Sequence, residues 1–343
     1  MPEVMDALVW EGPRQIAVRS VPVPTPAADE VVVRVQAVGI CGSELEGFVG
    51  AMANRVPPLV MGHEFSGIVE SEDVDLAGAR VAVNPLVSCG SCAYCQAGQP
   101  NICPERGVIG IVRPGGFAEL VAVPRSSLIP LPDQLDAVGG ALIEPLANVV
   151  HAYGLGSRTG EPSSVLVLGA GSLGLLALQV ARARGAEHVV ISDLNAERLA
   201  LASRLGAKET VRAGAPEAPE RLSNSVLGGF DLVIDCVGAA ATKAQALRSV
   251  RSGGTVVLLG LHDDASPLSS HEIIRRELTL TGSYTYVAAD VAEARDLLAS
   301  GQIDYSEWTD VRPLHAGPDA FTELVDRPGA SAKILLTPGV PTA

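Results

Sequence analysis

Four cysteines crowd into the stretch CGSCAYCQAGQPNIC. These 15 residues contain Cys89, Cys92, Cys95 and Cys103 in the spacing C-x2-C-x2-C-x7-C. Four thiolates on a tight loop can close a tetrahedral shell around zinc and leave no coordination position open. The spacing therefore predicts a structural zinc site. A group of redox cysteines is the alternative interpretation, and an iron–sulfur cluster is disfavoured because the spacing differs from the ferredoxin patterns.

Two further residues of metal-binding type stand apart from this cluster. Cys41 lies in VGICGSELEG and His63 in MGHEFSG. In isolation, such a Cys is more often a small buried hydrophobe, and such a His a hydrogen-bonded core residue. Their occurrence beside a cysteine cluster and a glycine-rich motif makes a second metal site the competing hypothesis. Cys236, inside the apolar run VIDCVG, is expected to be a core residue.

A glycine-rich motif follows an apolar run in VLVLGAGSLGLLALQ. Gly169, Gly171 and Gly174 have the spacing G-x-G-x-x-G. The first glycine permits a tight turn, the second lets a pyrophosphate approach the backbone, and the third lets helix and strand pack. The next helix begins at this turn and offers free N–H groups to phosphate. The strand-then-helix context predicts a dinucleotide site, to which we also assign Ser172 and Leu173.

An acidic residue ends the next apolar run, VVISDL. Asp193 stands 24 positions after Gly169, where a carboxylate can accept hydrogen bonds from ribose hydroxyls and repel a 2′-phosphate. Leu194 and Asn195 follow it, so no arginine stands immediately beside it. We therefore predict NAD rather than NADP as the cofactor and add Arg198 to its site. The alternative is that Asp193 only caps the next helix.

The pattern of apolar residues divides the chain. Short alternating stretches punctuated by Gly and Pro run to about residue 130, whereas residues 164–283 alternate buried β-branched runs with amphipathic Ala/Leu-rich segments. The latter pattern predicts a doubly wound parallel sheet. A helix around ADVAEARDLLASG and a last strand, SAKILLTP, follow. The segment GAPEAPE, residues 214–220, is expected to be a surface loop.

Composition excludes several classes of function. A chain of 343 residues with 47% hydrophobic residues is long enough for two domains with a large core. The net charge of −14 disfavours a nucleic-acid partner because an acidic surface repels phosphate. We find no apolar run of about 18 residues and no basic-then-apolar leader, which predicts neither a membrane span nor a signal peptide. A cytoplasmic protein is expected.

Taken together, these motifs resemble the zinc-containing medium-chain dehydrogenases. The resemblance covers essentially the whole chain and is closer to the sorbitol, threonine and galactitol-phosphate dehydrogenase branch than to other alcohol dehydrogenases. It rests on motifs that occur in the family's order: GICGS, GHEFSG, the four-cysteine lobe, LIEPLANVVHA, VLVLGAGSLG and RRELTLTGSY. It implies a GroES-like, mainly-β catalytic domain (1–155 and 285–343, with a zinc lobe at 85–105) and an inserted Rossmann domain (156–284).

The resemblance also implies roles for particular residues. Cys41 and His63 match the first two ligands of a catalytic zinc. Glu144, in EPLA, matches the third ligand of the polyol branch, where other members have Cys. Glu64 matches a glutamate that acts beside the metal or as an alternate ligand, and Ser43 matches the hydroxyl that passes on the substrate proton.

Two positions depart from the family pattern. Glu44 stands where Asp is usual and can still orient His63 through its carboxylate. Glu46 stands where the family often has a His that relays the proton to solvent. It could complete the relay with a water, leave that step to the cofactor ribose, or have moved from relay to substrate recognition.

The predicted function is a zinc-dependent hydride transfer between a secondary alcohol or polyol, or its ketone, and NAD. Two zinc ions per chain and a homodimer or homotetramer are expected. A zinc-free NADP-dependent quinone or enoyl reductase, a non-catalytic binding protein on the same scaffold and a zinc-ribbon interaction module are the alternatives. The first two are disfavoured because the chain retains every candidate ligand and the glycine motif, and the third because the chain is acidic and contains a full dinucleotide domain.

Overall fold

The structure, a computed structural model, describes residues 3–70, 75–327, 329 and 331–338. The chain divides into two compact units, one made of Met1–Glu144 with Thr309–Ala343 and the other of Pro145–Trp308. The sequence analysis places the boundaries of the inserted domain at 156 and 284 instead. Both chain ends include residues outside the described ranges.

The first unit is mainly β, as its short alternating stretches predict. Its strands are β1 (Val4–Gly12), β2 (Gln15–Pro22), β3 (Glu30–Gly39), β4 (Leu59–Val60), β5 (Glu64–Glu70), β6 (Arg80–Val83), β7 (Leu86–Val87), β8 (Gly107–Val108), β9 (Leu120–Pro124), β10 (Leu128–Pro130), β17 (Thr309–Pro313) and β18 (Lys333–Thr337). Its helices are α1 (Gly42–Phe48), α2 (Ala93–Gln96), α3 (Ala137–Ala141) and α11 (Gly317–Asp326), and α4 (Ile143–Gly156) begins in it.

A seven-stranded sheet positions the functional residues of this unit. Its order is β10-β6-β5-β3-β18-β17, with β9 also paired to β3. β3 therefore has β5 and the C-terminal β18 as neighbours, both antiparallel to it. Apolar residues alternate towards a core in which Phe321 of α11 meets Phe48 and Phe117 edge-on, at centroid distances of 5.4 and 5.7 Å.

The second unit contains a six-stranded sheet, all of whose paired strands are parallel, in the order β13-β12-β11-β14-β15-β16. Its strands are β11 (Ser164–Leu168), β12 (His188–Asp193), β13 (Glu209–Arg212), β14 (Phe230–Asp235), β15 (Val250–Leu258) and β16 (Thr279–Gly282). Its helices are α5 (Ser172–Ala183), α6 (Ala196–Arg204), α7 (Ala218–Ser225), α8 (Ala240–Ser249), α9 (Ser270–Arg275) and α10 (Ala288–Ala299).

The doubly wound parallel sheet predicted from residues 164–283 is confirmed, with β11, β12, β14 and β15 on the four apolar runs. One local expectation was wrong. GAPEAPE is not all loop, because α7 begins at Ala218 within it and has Pro219 in its first turn. Proline is favoured there because its missing N–H would be unpaired in any case. Within the described ranges, every helix is too short or too polar to cross a membrane.

Candidate functional site

The cysteine lobe brings its four thiols together as the spacing predicts. Cys89 follows β7, Cys92 and Cys95 lie at the start and within α2, and Cys103 ends a short 3₁₀ turn. Four of the Sγ–Sγ distances are 3.5, 3.5, 3.8 and 4.0 Å, and none of the four residues forms a disulfide.

These distances fit a metal. A tetrahedron with Zn–S bonds of about 2.3 Å has S–S edges of about 3.8 Å. Backbone N–H groups of Ser91 and Cys92 point at Cys89 and lower the pKa of its thiol to about 6, which favours the thiolate that a metal requires. Four sulfur ligands complete the shell, so the lobe fits a closed, structural zinc site.

A second group of ligand atoms, here called the Cys41 cluster, consists of Cys41, His63 and Glu64. One ligand atom of each lies within 4.8 Å of the others. Cys41 follows β3 and precedes α1, whereas His63 immediately precedes β5. β3 and β5 pair with Gly39 opposite Glu64, and this register brings the two chain segments together.

Glu44 lies beneath this cluster and is completely buried. Its Oε1 accepts a hydrogen bond from the Gly62 N–H at 2.7 Å, and its Oε2 accepts one from the Cys41 N–H at 2.9 Å. Oε1 also lies 3.0 Å from His63 Nδ1, an ion-pair distance without hydrogen-bond direction. Burial alone would raise the pKa of Glu44, but His63 and these hydrogen bonds outweigh burial and lower it. The carboxylate therefore fixes the Cys41 backbone and faces His63, the residue that the sequence analysis expects it to orient.

Glu64 carries a partner that the sequence analysis missed. Lys333, on β18, forms an ion pair with Glu64 Oε2, and its Nζ donates to the Ile40 carbonyl at 3.2 Å. Lys333 is 2% and Glu64 1% exposed, so the pair is buried. Burial would lower the pKa of Lys333, yet the Glu64 charge outweighs it and raises that pKa. The sequence signal that could have found this partner is the lysine at the start of the otherwise mainly apolar strand KILLT.

Ser43 lies in the first turn of α1, and its hydroxyl donates to Cys41 Sγ at 3.5 Å. Arg55, also missed, donates to the carbonyl and the hydroxyl of Ser43. Glu46 is half-buried on the same helix.

Glu144 is half-buried in the first turn of α4. Among the described residues, the group of ligand atoms within 4.8 Å of one another includes Glu64 but not Glu144. Acidic side chains are favoured at helix N-termini by the helix dipole, which provides a reason for Glu144 at this position without a metal.

In the second unit, the glycine-rich turn joins β11 to α5. Gly169 has a φ of +97°, a conformation that only glycine adopts without strain. A Cβ on Gly174 would lie 1.7 Å from the Gly169 carbonyl oxygen, so helix and strand pack closely there. Gly171 is the N-cap of α5 and has no side chain to cap it, and Ser172 and Leu173 form the helix's first turn.

Asp193 ends β12 beside this turn. Its Oδ2 accepts a hydrogen bond from the Ala170 N–H at 2.5 Å, and its Oδ1 accepts one from the Asn195 N–H at 2.7 Å. The helix-capping role falls instead to Asn195, whose side chain accepts from the first turn of α6. The Arg198 guanidinium reaches the turn as well, because a Cβ on Gly171 would lie 3.9 Å from Arg198 Nη1.

Comparison with protein families matches both units. The family described as alcohol dehydrogenase GroES-like domain matches residues 27–133, and that described as zinc-binding dehydrogenase matches residues 172–300. The chain is 32% identical to sorbitol dehydrogenase of Bacillus subtilis over 98% of both chains.

Solved structures of dehydrogenases also match this chain. A zinc-binding dehydrogenase from Sinorhizobium meliloti bound to NADP is 38% identical with a TM-score of 0.89, covering 98% of this chain and 100% of that one. An alcohol dehydrogenase from Escherichia coli CFT073 complexed with NADH is 29% identical with a TM-score of 0.89, at the same coverage. This chain belongs to the zinc-containing medium-chain dehydrogenase/reductase superfamily, in its alcohol and polyol dehydrogenase branch.

Proposed function

We propose that this protein oxidises a secondary alcohol or polyol, or reduces the corresponding ketone, by hydride exchange with NAD at a zinc site built on the Cys41 cluster. The observation that carries the proposal is the cluster itself: a thiol, an imidazole and a carboxylate within 4.8 Å of one another. Three protein ligands leave a fourth position for a substrate oxygen, as in catalytic rather than structural zinc sites. The similarity to a sorbitol dehydrogenase supports a polyol substrate.

The third ligand is proposed to be Glu64. Its carboxylate already belongs to the cluster, whereas Glu144, the ligand predicted from the family pattern, does not. A carboxylate can keep Lys333 on one oxygen and offer the other to a metal. When bound, zinc supplies a Lewis acid that stabilises negative charge on the substrate oxygen.

The protein's own residues hold this arrangement and move the proton. Glu44 fixes the Cys41 backbone and faces His63 Nδ1, so that the other ring nitrogen is left for the metal. Ser43, beside Cys41 Sγ, would accept the proton of the substrate hydroxyl on its oxygen while its own hydrogen passes to the next group of the relay. Glu46 either continues the relay with a water or faces the substrate, and the ribose of the cofactor is the third possible exit.

Cofactor binding is proposed at Gly169, Gly171, Ser172, Leu173, Gly174, Asp193 and Arg198. The pyrophosphate would lie on the first N–H groups of α5, and Asp193 would accept from the ribose hydroxyls. Similar structures hold NADP in one case and NADH in another, so the preference of this protein for NAD over NADP needs a direct test. Replacing Asp193 by Gly and Leu194 by Arg should raise the use of NADP relative to NAD, since repulsion is removed and a cation added. A wild-type enzyme that prefers NADP would contradict the assignment.

The lobe is proposed to hold the second zinc, which gives two ions per chain. Elemental analysis combined with NAD-dependent turnover on polyols, vicinal diols, sugar phosphates and aminocyclitols tests the whole proposal. About two zinc ions and turnover on at least one alcohol are expected. One ion or none, or no turnover in zinc-replete protein, would contradict it.

A homodimer or homotetramer in the cytoplasm is proposed as well. β16 is an edge strand of the six-stranded sheet, so its outer backbone groups can pair with a second copy. Light scattering that gave a monomer would reject the assembly.

A further inference from the structure

Arg55 is a buried cation beside the Cys41 cluster, with only 4% of its surface exposed. Its Nη1 donates to the Ser43 carbonyl oxygen at 2.6 Å, and its Nη2 lies 3.4 Å from the Ser43 hydroxyl oxygen. Nη1 also contacts Met52 Sδ at 2.8 Å. One edge of the guanidinium therefore holds both oxygen atoms of a single residue.

This contact fixes the direction of the Ser43 hydroxyl. Because a guanidinium has donors and no acceptor, the Ser43 oxygen must accept from Arg55, and its own hydrogen must point elsewhere. The structure directs that hydrogen to Cys41 Sγ, 3.5 Å away. The same hydroxyl thus contacts both Arg55 and Cys41, which belongs to the candidate metal site.

The arrangement is costly for stability. Arg55 Nε is buried and has no hydrogen-bond partner, and a buried, incompletely paired cation is unfavourable compared with an apolar side chain. Gly47, within α1, leaves the necessary room: a Cβ there would lie 2.8 Å from Arg55 Cδ and 2.9 Å from Nη1. Glycine inside a helix is itself less stable than alanine. Neither residue is therefore explained by stability alone.

We propose that Arg55 is a positioning residue, which holds the Ser43 hydroxyl where it can take the substrate proton. The inference rests on the proposed proton role of Ser43. Substitution of Arg55 should slow proton transfer and leave both zinc ions in place, because the hydrogen bonds of Arg55 go to Ser43 and Met52.

The first test compares three variants. Arg55→Met removes the guanidinium, Gly47→Ala displaces it, and Gly154→Ala is the matched helical control because a Cβ there meets nothing within 4 Å. We expect kcat to fall about 10-fold or more in Arg55→Met and to fall also in Gly47→Ala, since small misplacements of a catalytic group are costly. The solvent isotope effect on kcat should rise, KM should change little, and both zinc ions should stay.

Melting temperature separates this role from a structural one. Gly47→Ala should keep a cooperative melting transition and both zinc ions while losing turnover, and Gly154→Ala should lose no turnover. If Arg55→Met does not fold, Gly47→Ala decides the matter alone. Unchanged kcat in Arg55→Met, or in Gly47→Ala where only that variant folds, would overturn the proposal.

A double-mutant cycle with Ser43→Ala tests the mechanism. If Arg55 acts through Ser43, Arg55→Met should cost nothing further in the Ser43→Ala background. An equal additional loss there would overturn the positioning role but leave the proposed function intact. A fully active Ser43→Ala enzyme would instead reject the proton role of Ser43, and with it that of Arg55.

Discussion

The lobe and the Cys41 cluster gather metal-binding side chains in opposite surroundings. The lobe takes all four thiols from one segment of 15 residues. Three of them are half-buried, and backbone N–H groups point at Cys89. The Cys41 cluster takes its side chains from segments joined by a sheet, and Glu44, Lys333 and Arg55 surround it as buried charges. Four ligands that complete the coordination shell hold a metal by themselves. A site with an open coordination position has fewer ligands, so it needs neighbouring residues that orient those ligands and leave the position open.

The largest effect should come from removing the third ligand of the Cys41 cluster. Glu64→Ala should lower kcat/KM by about 10⁴-fold, since a Lewis acid contributes several kcal/mol to the reaction. Zinc should fall from two ions to one, with the lobe still loaded. Glu144→Ala is the paired variant: if it empties the site and Glu64→Ala does not, the ligand predicted from the family pattern is the correct one.

Opening the lobe should affect stability instead of chemistry. Cys103→Ser should cost about 5 kcal/mol of folding free energy, below the values for peptides that fold only with zinc. Turnover per folded, zinc-loaded molecule should stay within a few-fold of wild type. Denaturation followed by circular dichroism, together with active-site titration, measures both. Lost turnover with unchanged melting would exchange the roles of the two sites.

Breaking the buried Lys333–Glu64 ion pair should make the free energy of unfolding depend on zinc. Lys333→Met leaves the Glu64 charge without its partner, which typically costs about 3–5 kcal/mol. Zinc would neutralise the same carboxylate, so the loss should be greater in chelator-treated protein than in the loaded enzyme. The control is Lys333→Met with Glu64→Gln, which removes both charges. Equal losses with and without zinc would show that Glu64 does not face the metal.

The smallest effect concerns the reactivity of one thiol. With a pKa of about 6, Cys89 is a thiolate above that pH in metal-free protein and loses this form as the pH falls below it. Limiting iodoacetamide at pH 7 should therefore label Cys89 before Cys92 or Cys95, and the rate of labelling at Cys89 should fall about 10-fold by pH 5 because its thiolate fraction falls by that factor. Peptide mass spectrometry gives the order. Equal labelling of all three would contradict the inference that backbone N–H groups lower the pKa of Cys89.

Much of this protein could be predicted from local patterns. The six-stranded sheet followed from apolar runs of strand length, and the lobe from ligands within 15 residues. The start of α7 was missed because a Pro- and Gly-rich segment favours loop until Pro219 is placed in a first turn. The family resemblance added Ser43, Glu64 and Glu144 and gave Cys41 and His63 their roles. Glu144 lies outside the group of ligand atoms that includes Glu64, and its role as a ligand stays a prediction.

The sequence by itself determined the ligand types, the glycine-rich turn and the two kinds of domain, because each depends on residues close together in the chain. Only the tertiary structure decided what surrounds the Cys41 cluster. Lys333 meets the Ile40 carbonyl across 293 positions, and it does so because β18 pairs with β3. Strand order and register between distant segments fix such contacts, and a buried charge is recognised as a partner only once both segments are in place.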